Sequence, residues 1–376
     1  MLIGFIGKEV DEIIMRLLPT TSCVSGMRLA KPIFNEEGVI LLGRHVELSQ
    51  SLINRLQQLG VDYLYIEDPD TEDVEVEDVL SDETKRRALT EIRTHFGLFM
   101  EATAKKKFSR APTLGKTFGD LMKMIIDDIS GHRGALIMLM NMNVLNTYVY
   151  QHSLNVSIYT VMLGMANGFN REELMVIGLG SLLHDIGKTK INWQLLQRPG
   201  PLSPDEYEEI KKHTEYGYKM LKDEPNMPLI AAHCAFQHHE RIDGSGYPRG
   251  IKGGEIHDYA KWIAIADSYD AMTTHRSFRR AMLPHQAMEI LFTGAGTLYD
   301  TKKIAFFRDN VAIYPIGVTV KLNTGVKGVV TDINPSAPQR PVVRVLTDEH
   351  NRRISQPYEV DLTKQLTVMI DQVELA

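Results

Sequence analysis

Neighbouring imidazoles at His238 and His239 open the segment HHERIDGSGYP, and a carboxylate, Glu240, follows at once. Upstream lie His152 in YQHSLNVSIY, the dyad His184–Asp185 in LLHDIGK, and His213 in HTEYG. Downstream, Asp267 lies in AIADSYDAM. Imidazole nitrogens mixed with carboxylate oxygens suit transition-metal ions (Fe, Mn, Co or Zn) rather than Mg2+ or Ca2+. Asp185 and Asp267 sit in apolar helical runs, where an isolated buried carboxylate is costly. A metal ion or a satisfied salt bridge offsets that cost, and an HD dipeptide by itself is compatible with either. The compound pattern says more. Five histidines and two aspartates exceed what one tetrahedral ion needs, and they suit two ions sharing a bridging carboxylate and a bridging water.

The tail of HHERIDGSGYP fits the same picture. Gly244, Ser245 and Gly246 let the main chain fold close beside the ions without a side-chain clash. Glu240 and Asp243 would cap or orient the neighbouring backbone. Tyr247 would face the pocket, either as a packing residue or as a substrate contact, and Pro248 would stiffen the exit. Asp270 reads as a structural hydrogen-bonding partner. His233, His257 and His275 are near the site in sequence only, and Met138, Met140 and Met142 read as core filler.

The elements that must bring these stretches together are helical. Apolar residues recur on a 3.6-residue period from Phe118 to about Phe307, in runs such as FGDLMKMIIDDI, HSLNVSIYTVMLGMANGF and YAKWIAIADSYDAMT. Ahead of them, NEEG (Asn35–Gly38) reads as a hairpin turn. Leu48–Gly60 reads as a helix with Ser49 as N-cap and Gly60 as stop, and VDYLYIED reads as a strand. The acidic run Asp68–Glu83 reads as a solvated linker, followed by a helix from Thr84 to about Ala104 that could connect as a rod. After Val311 the pattern alternates with a period of two, with turns at NTG and NPSAP. The expected class is mainly α: a helical domain with a small N-terminal α+β module and a small C-terminal antiparallel β unit. The expected domains are a module over 1–75, an acidic linker and connecting helix over 76–115, a helical domain over 116–310 and a β extension over 311–376.

Bulk properties limit the alternatives. At 376 residues the chain is too long for one ordinary domain. A net charge of −6 gives no electrostatic footprint for a nucleic-acid polymer, so phosphate would have to be met by local cations or metals. Cys23 and Cys234 form no CxxC pair, which fits a reducing cytoplasm. The opening MLIGFIGKEVDEIIMRLL carries Glu9, Asp11 and Glu12 and is no clean signal peptide. No apolar run approaches the roughly 18 residues of a membrane span.

LLHDIGK together with HHERIDGSGYP resembles the HD-GYP class of the HD phosphohydrolase superfamily, clearly over roughly residues 140–285. The resemblance implies an HD-type helical fold, two transition-metal ions (iron or manganese), and hydrolysis of cyclic di-GMP to pGpG by attack of a hydroxide shared between the ions; whether a second round gives GMP stays open. It implies metal ligation by His152, His184, Asp185, His213, His238, His239 and Asp267, with Asp185 bridging. It places Lys188 near the scissile phosphate, Tyr247 in the loop that names the class, and Arg276 and Arg279 on substrate phosphate and base. Members with a third metal carry a glutamate four residues before the first histidine; here that position is Tyr148, which implies two ions. Another cyclic dinucleotide such as 3',3'-cyclic GMP-AMP, or a sensor that binds without cleaving, are the alternatives to cyclic di-GMP hydrolysis. The class also implies homodimerisation and signalling protein partners.

Overall fold

The computed structural model describes residues 15–34, 40–68, 79–104, 114–131, 148–198, 200–274 and 281–374. The short alternating segments near the N-terminus pair as β1 (Arg16–Pro19) with β4 (Tyr63–Ile66) and β2 (Ile33–Phe34) with β3 (Ile40–Leu42), all antiparallel. Between them runs α1 (Gln50–Gln58), started by the Ser49 hydroxyl, which accepts from the Leu52 amide at 3.2 Å. Gly60 follows with φ +74°, a conformation that ends a helix cheaply only with glycine. Leu18, Leu29, Ile33, Leu48, Ile53 and Leu64 close a small core of their own. The turn expected at Asn35–Gly38 lies outside the described residues, as does most of the acidic run, residues 69–78.

The helical region comprises α2 (Asp82–Ala104), α3 (Leu114–Gly131), α4 (Tyr148–Ala166), α5 (Arg171–Leu182), α6 (Trp193–Gln197), α7 (Pro204–Lys211), α8 (His213–Leu221), α9 (Leu229–Gln237), α10 (Asp258–Thr273), α11 (Pro284–Thr293) and α12 (Thr301–Asn310). Residues 151–164 of α4 are all buried, and the polar ones among them, such as Gln151, His152 and Asn155, are hydrogen-bonded inside the core. Around it pack Phe118, Ile125, Ile177, Leu182, Ile263, Tyr269 and Phe307. The helix read as a connecting rod is part of this core. Ala88, Leu89, Ile92 and Phe96 of α2 are buried in it, because they form one apolar stripe at helical spacing that is covered only by docking.

The tail forms an antiparallel sheet in the order β8–β7–β6–β5–β9, built from β5 (Thr319–Leu322), β6 (Lys327–Asp332), β7 (Val342–Thr347), β8 (Arg353–Asp361) and β9 (Ile370–Glu374). Alternation is visible on β7, where Val343 and Val345 point into the core while Arg344 pairs with Glu359 at 2.8 Å. The N-terminal module docks on both neighbours. The Leu17 amide donates to the Gly317 carbonyl at 2.9 Å and Arg16 Nε donates to Thr319 Oγ1 at 3.1 Å, while Asp62 Oδ2 accepts from the Ala281 amide at 3.2 Å. No helix among the described residues is long and apolar enough to cross a membrane.

Candidate metal centre

Five stretches of the helical core converge where the sequence placed its histidines and aspartates. α4 carries His152, α8 opens with His213, the end of α9 presents His238 and His239, and α10 carries Asp267. His184 and Asp185 follow the end of α5, which starts with a reciprocal Asn170–Glu173 capping box. From Asp185 the chain enters a 3₁₀ turn over Ile186–Lys190. That turn lies flat against α8 at Gly187, where a Cβ would run into the His213 carbonyl and the Gly217 amide. Close approach of backbone to backbone is what brings the HD dyad and His213 together.

Hydrogen bonds at the far side of four of the rings settle which nitrogen faces inward. His184 Nδ1 lies 2.6 Å from the Ser181 carbonyl, His213 Nδ1 2.6 Å from the Ile210 carbonyl, and His238 Nδ1 3.0 Å from the Ala235 carbonyl. A carbonyl only accepts, so Nδ1 carries the proton and Nε2 turns its lone pair to the centre. His152 follows the same plan with a carboxylate: its Nδ1 lies 2.7 Å from Asp270 Oδ2, and Asn155 Nδ2 donates to Asp270 Oδ1 at 2.8 Å.

The two oxygens of Asp185 face different imidazoles. Oδ2 lies 3.4 Å from His184 Nε2 and 3.7 Å from His152 Nε2, whereas Oδ1 lies 3.4 Å from His213 Nε2 and 3.8 Å from His238 Nε2. Asp267 spans the same space, with Oδ1 3.0 Å from His152 Nε2 and Oδ2 3.9 Å from His239 Nδ1. One group, His152, His184 and Asp185, and another, Asp185, His213, His238 and His239, each bring their ligand atoms within 4.8 Å of one another. Asp185 belongs to both.

These groups are removed from water, with His184, His213 and His238 at 0% exposure and His152 and Asp185 at 1%. His184 Nε2 and Asp185 Oδ1 are buried without a hydrogen-bond partner. Buried polar atoms are otherwise almost always satisfied. Converging lone pairs on unpartnered atoms, in a nitrogen and oxygen donor set, fit a divalent metal site.

The electrostatics agree. Burial pulls the His213 imidazole down to about 4, against the Asp185 charge, and holds His238 and His239 well below the ordinary value. These rings are neutral at pH 7, as ligands must be. Burial opposes a charge on His152 as well, yet the hydrogen bonds to Asp267 and Asp270 outweigh it and raise the ring to about 9. Asp185 and Asp267 stay far below the usual carboxylate range despite burial, Asp185 chiefly because of Lys188 and His184, Asp267 because of His152. Lys188 Nζ forms an ion pair with Asp185 Oδ2 and keeps 20% of its side chain exposed, at the edge of the cluster.

The glycine-rich loop wraps the outer side. The buried Glu240 carboxylate accepts from the Arg249 amide at 2.9 Å and the Ile251 amide at 3.1 Å, so it holds the loop. Asp243 Oδ1 accepts from the Ser245 amide at 2.9 Å. A Cβ on Gly246 would sit 2.5 Å from Glu240 Cα and from the His239 carbonyl, so no larger residue fits the turn. Tyr247 stacks on His239, with ring centroids 4.7 Å apart and planes at 29°. Arg276 and Arg279 lie outside the described residues.

Sequence reasoning left three supporting residues without an assigned partner. Asp270 follows Asp267 by one helical turn, and Asn155 follows His152 by the same interval, so spacing alone puts each pair on one face. Gln237 carried no signal; its Oε1 accepts from the His257 amide at 2.7 Å and ties α9 to the start of α10.

Residues 137–302 match the model of the HD domain family. Residues 319–374 match a KOW domain associated with the HD domain. The curated relatives that this chain resembles include cyclic di-GMP phosphodiesterases. A cyclic di-GMP phosphodiesterase of Pseudomonas aeruginosa is 32% identical over 60% of this chain and 54% of its own length. A cyclic di-GMP phosphodiesterase of Thermotoga maritima is 38% identical over 39% of each chain. A 3'3'-cGAMP-specific phosphodiesterase of Vibrio cholerae is 32% identical over 45% of this chain and 36% of its own. The matches span about half or less of those relatives. Among solved structures, an HDG"Y"P protein from Bdellovibrio bacteriovorus aligns with 72% of this chain and 90% of its own at 17% identity, with a TM-score of 0.44.

Proposed function

We propose that this protein is a metal-dependent phosphodiesterase that opens cyclic di-GMP to linear pGpG, and that the linear product can be cut again to GMP. The observation that carries the proposal is the placement of two imidazole sets on opposite oxygens of Asp185. Such a carboxylate is suited to bridge a pair of ions. His152 and His184 with Asp185 and Asp267 would hold one; His213, His238 and His239 with Asp185 would hold the other. The mixed nitrogen and oxygen donors suit a transition metal, and the resemblance to the HD-GYP class favours iron or manganese. Bound ions would polarise the phosphoryl oxygens and lower the pKa of the attacking water.

The remaining work falls to the chain's own side chains. Backbone carbonyls and Asp270 keep His152, His184, His213 and His238 in the tautomer that presents Nε2, so no proton has to be moved within those four rings during turnover. Lys188, paired with Asp185 in the structure, is within a side-chain rotation of the pocket edge and would turn its ammonium to a non-bridging phosphate oxygen. Tyr247 would line the substrate side of His239, and Arg276 and Arg279 would grip the second phosphate or a base with their planar guanidinium groups. Burial of the cluster removes solvent screening, which strengthens the electrostatic pull of its groups on the reacting phosphate.

The test uses purified protein loaded with Mn2+, or with Fe2+ anaerobically, and incubated with cyclic di-GMP. Chromatography should show pGpG appearing first. Unchanged cyclic di-GMP in fully metal-loaded protein would remove the proposal. Parallel incubation with 3',3'-cyclic GMP-AMP decides between the two dinucleotides.

A further inference from the structure

Helix α7 stands at the mouth of the cluster and buries none of its own residues. It is held at its ends. The Ser203–Glu206 capping box starts it, and the Ile210 carbonyl, in its last turn, accepts from His213 Nδ1. A helix kept beside a buried centre without contributing to any core invites the question of what its outward side chains do.

Tyr207 is the informative one. It is 45% exposed, so its ring is not core filler. Its centroid lies 6.3 Å from that of Tyr247, with the planes at 80°, and Tyr247 in turn stacks on His239. The rings of His239, Tyr247 and Tyr207 therefore step outward from the candidate ligands to solvent. Lys211, one turn along α7, sits between the last two: its Nζ is 4.7 Å from the Tyr207 centroid and 5.5 Å from that of Tyr247. The same ammonium pairs with Glu208 at 2.6 Å. A cation facing both rings restrains the Tyr207 rotamer before any ligand arrives. An exposed, restrained aromatic face beside a phosphate-binding centre is what stacking of a nucleobase requires, since every base offers a π face.

We infer that Tyr207 stacks a purine base of the substrate whose phosphate lies at the metal cluster, and that Lys211 positions the ring. This rests on the site being a cyclic-dinucleotide phosphodiesterase. Stacking acts on the bound substrate and the transition state alike, so its removal raises KM and leaves kcat in place.

The experiment compares wild type, Tyr207→Ala, Tyr207→Phe and Lys211→Met as full-length, metal-loaded proteins, with kcat, KM and metal content measured for cyclic di-GMP. Tyr207→Ala should raise KM about tenfold, the loss expected for one base–aromatic stack, at wild-type metal content. Tyr207→Phe should restore KM, because the π face and not the hydroxyl is used. Lys211→Met should raise KM less than Tyr207→Ala does. A wild-type KM in Tyr207→Ala, a loss of metal in that variant, or failure of Phe to rescue overturns the inference. Should the wild-type protein turn over no dinucleotide, the reading of the site falls by itself. Equilibrium binding of cyclic di-GMP to wild type and Tyr207→Ala then decides separately: equal affinities, or binding to neither, overturn the stacking role.

Discussion

Replacing Asp270 by Asn removes one charge and almost no volume from the second layer of the cluster. Asp270 is 1% exposed and accepts from two donors, His152 Nδ1 at 2.7 Å and Asn155 Nδ2 at 2.8 Å. An asparagine offers one acceptor and one donor, so one of those partners must face an NH2 group. Asn155 cannot adapt by turning its own amide, because its Oδ1 already accepts from Gln151 Nε2 at 2.7 Å. One buried hydrogen bond to a charged group is therefore lost, worth about 1.5–3 kcal/mol. At about 1.4 kcal/mol per decade, that agrees with the roughly 10- to 100-fold loss of metal affinity typical when the partner of a ligating histidine is removed. Competition with a chelator of known affinity, using Mn2+ on the purified protein, reads the effect directly. The double variant Asp270→Asn with Asn155→Asp restores the donor–acceptor match and should recover part of the loss. An affinity for Asp270→Asn within twofold of wild type would refute the argument that the carboxylate orients His152 for a metal.

Other outcomes follow from the same geometry. Asp185→Ala should abolish turnover of cyclic di-GMP and lower bound metal, and full occupancy with normal turnover in elemental and product analysis would contradict the bridging role. Gly246→Ala forces a Cβ to 2.5 Å from Glu240 Cα, so overpacking of about 1–3 kcal/mol should lower Tm by a few degrees in calorimetry; an unchanged Tm would show that the loop yields freely. The pH dependence follows from His152, whose value without metal is raised from 6.5 to about 9. Its ionic stabilisation of the metal-free fold is complete below about pH 6.5 and is lost as the pH rises through about 9. Metal must displace that proton, so binding at pH 7.5 should release about one proton, and apparent affinity should climb with pH up to about 9. Titration calorimetry in buffers of different ionisation enthalpy measures the release, and heats independent of buffer would be inconsistent with His152 as a ligand.

Much of this protein is legible from residue order. The 3.6-residue period marked the region from Phe118 to about Phe307 as helical, Ser49 and Gly60 marked the ends of α1, and the two-residue period after Val311 marked the sheet. The HD dyad, the paired histidines and Asp267 together pointed to a metal site, and the phosphodiesterase reading came from the resemblance that LLHDIGK and HHERIDGSGYP carry. The chain could not show that α2 packs into the helical core, since a stripe of four apolar residues does not say what covers it. Nor could it assign the partners of Asp270, Asn155 and Gln237.

Sequence determined which atoms are available, since a side chain's ligand chemistry belongs to the residue itself. Tertiary structure alone decided that the two oxygens of Asp185 point at different imidazole sets, and that Nε2 of His184, His213 and His238 faces inward. The reason is physical. Tautomer and direction are set by carbonyls and by Asp270, and the approach of the HD turn to α8 depends on Gly187 meeting the backbone of a helix far along the chain. Those relations exist only once the helices are packed.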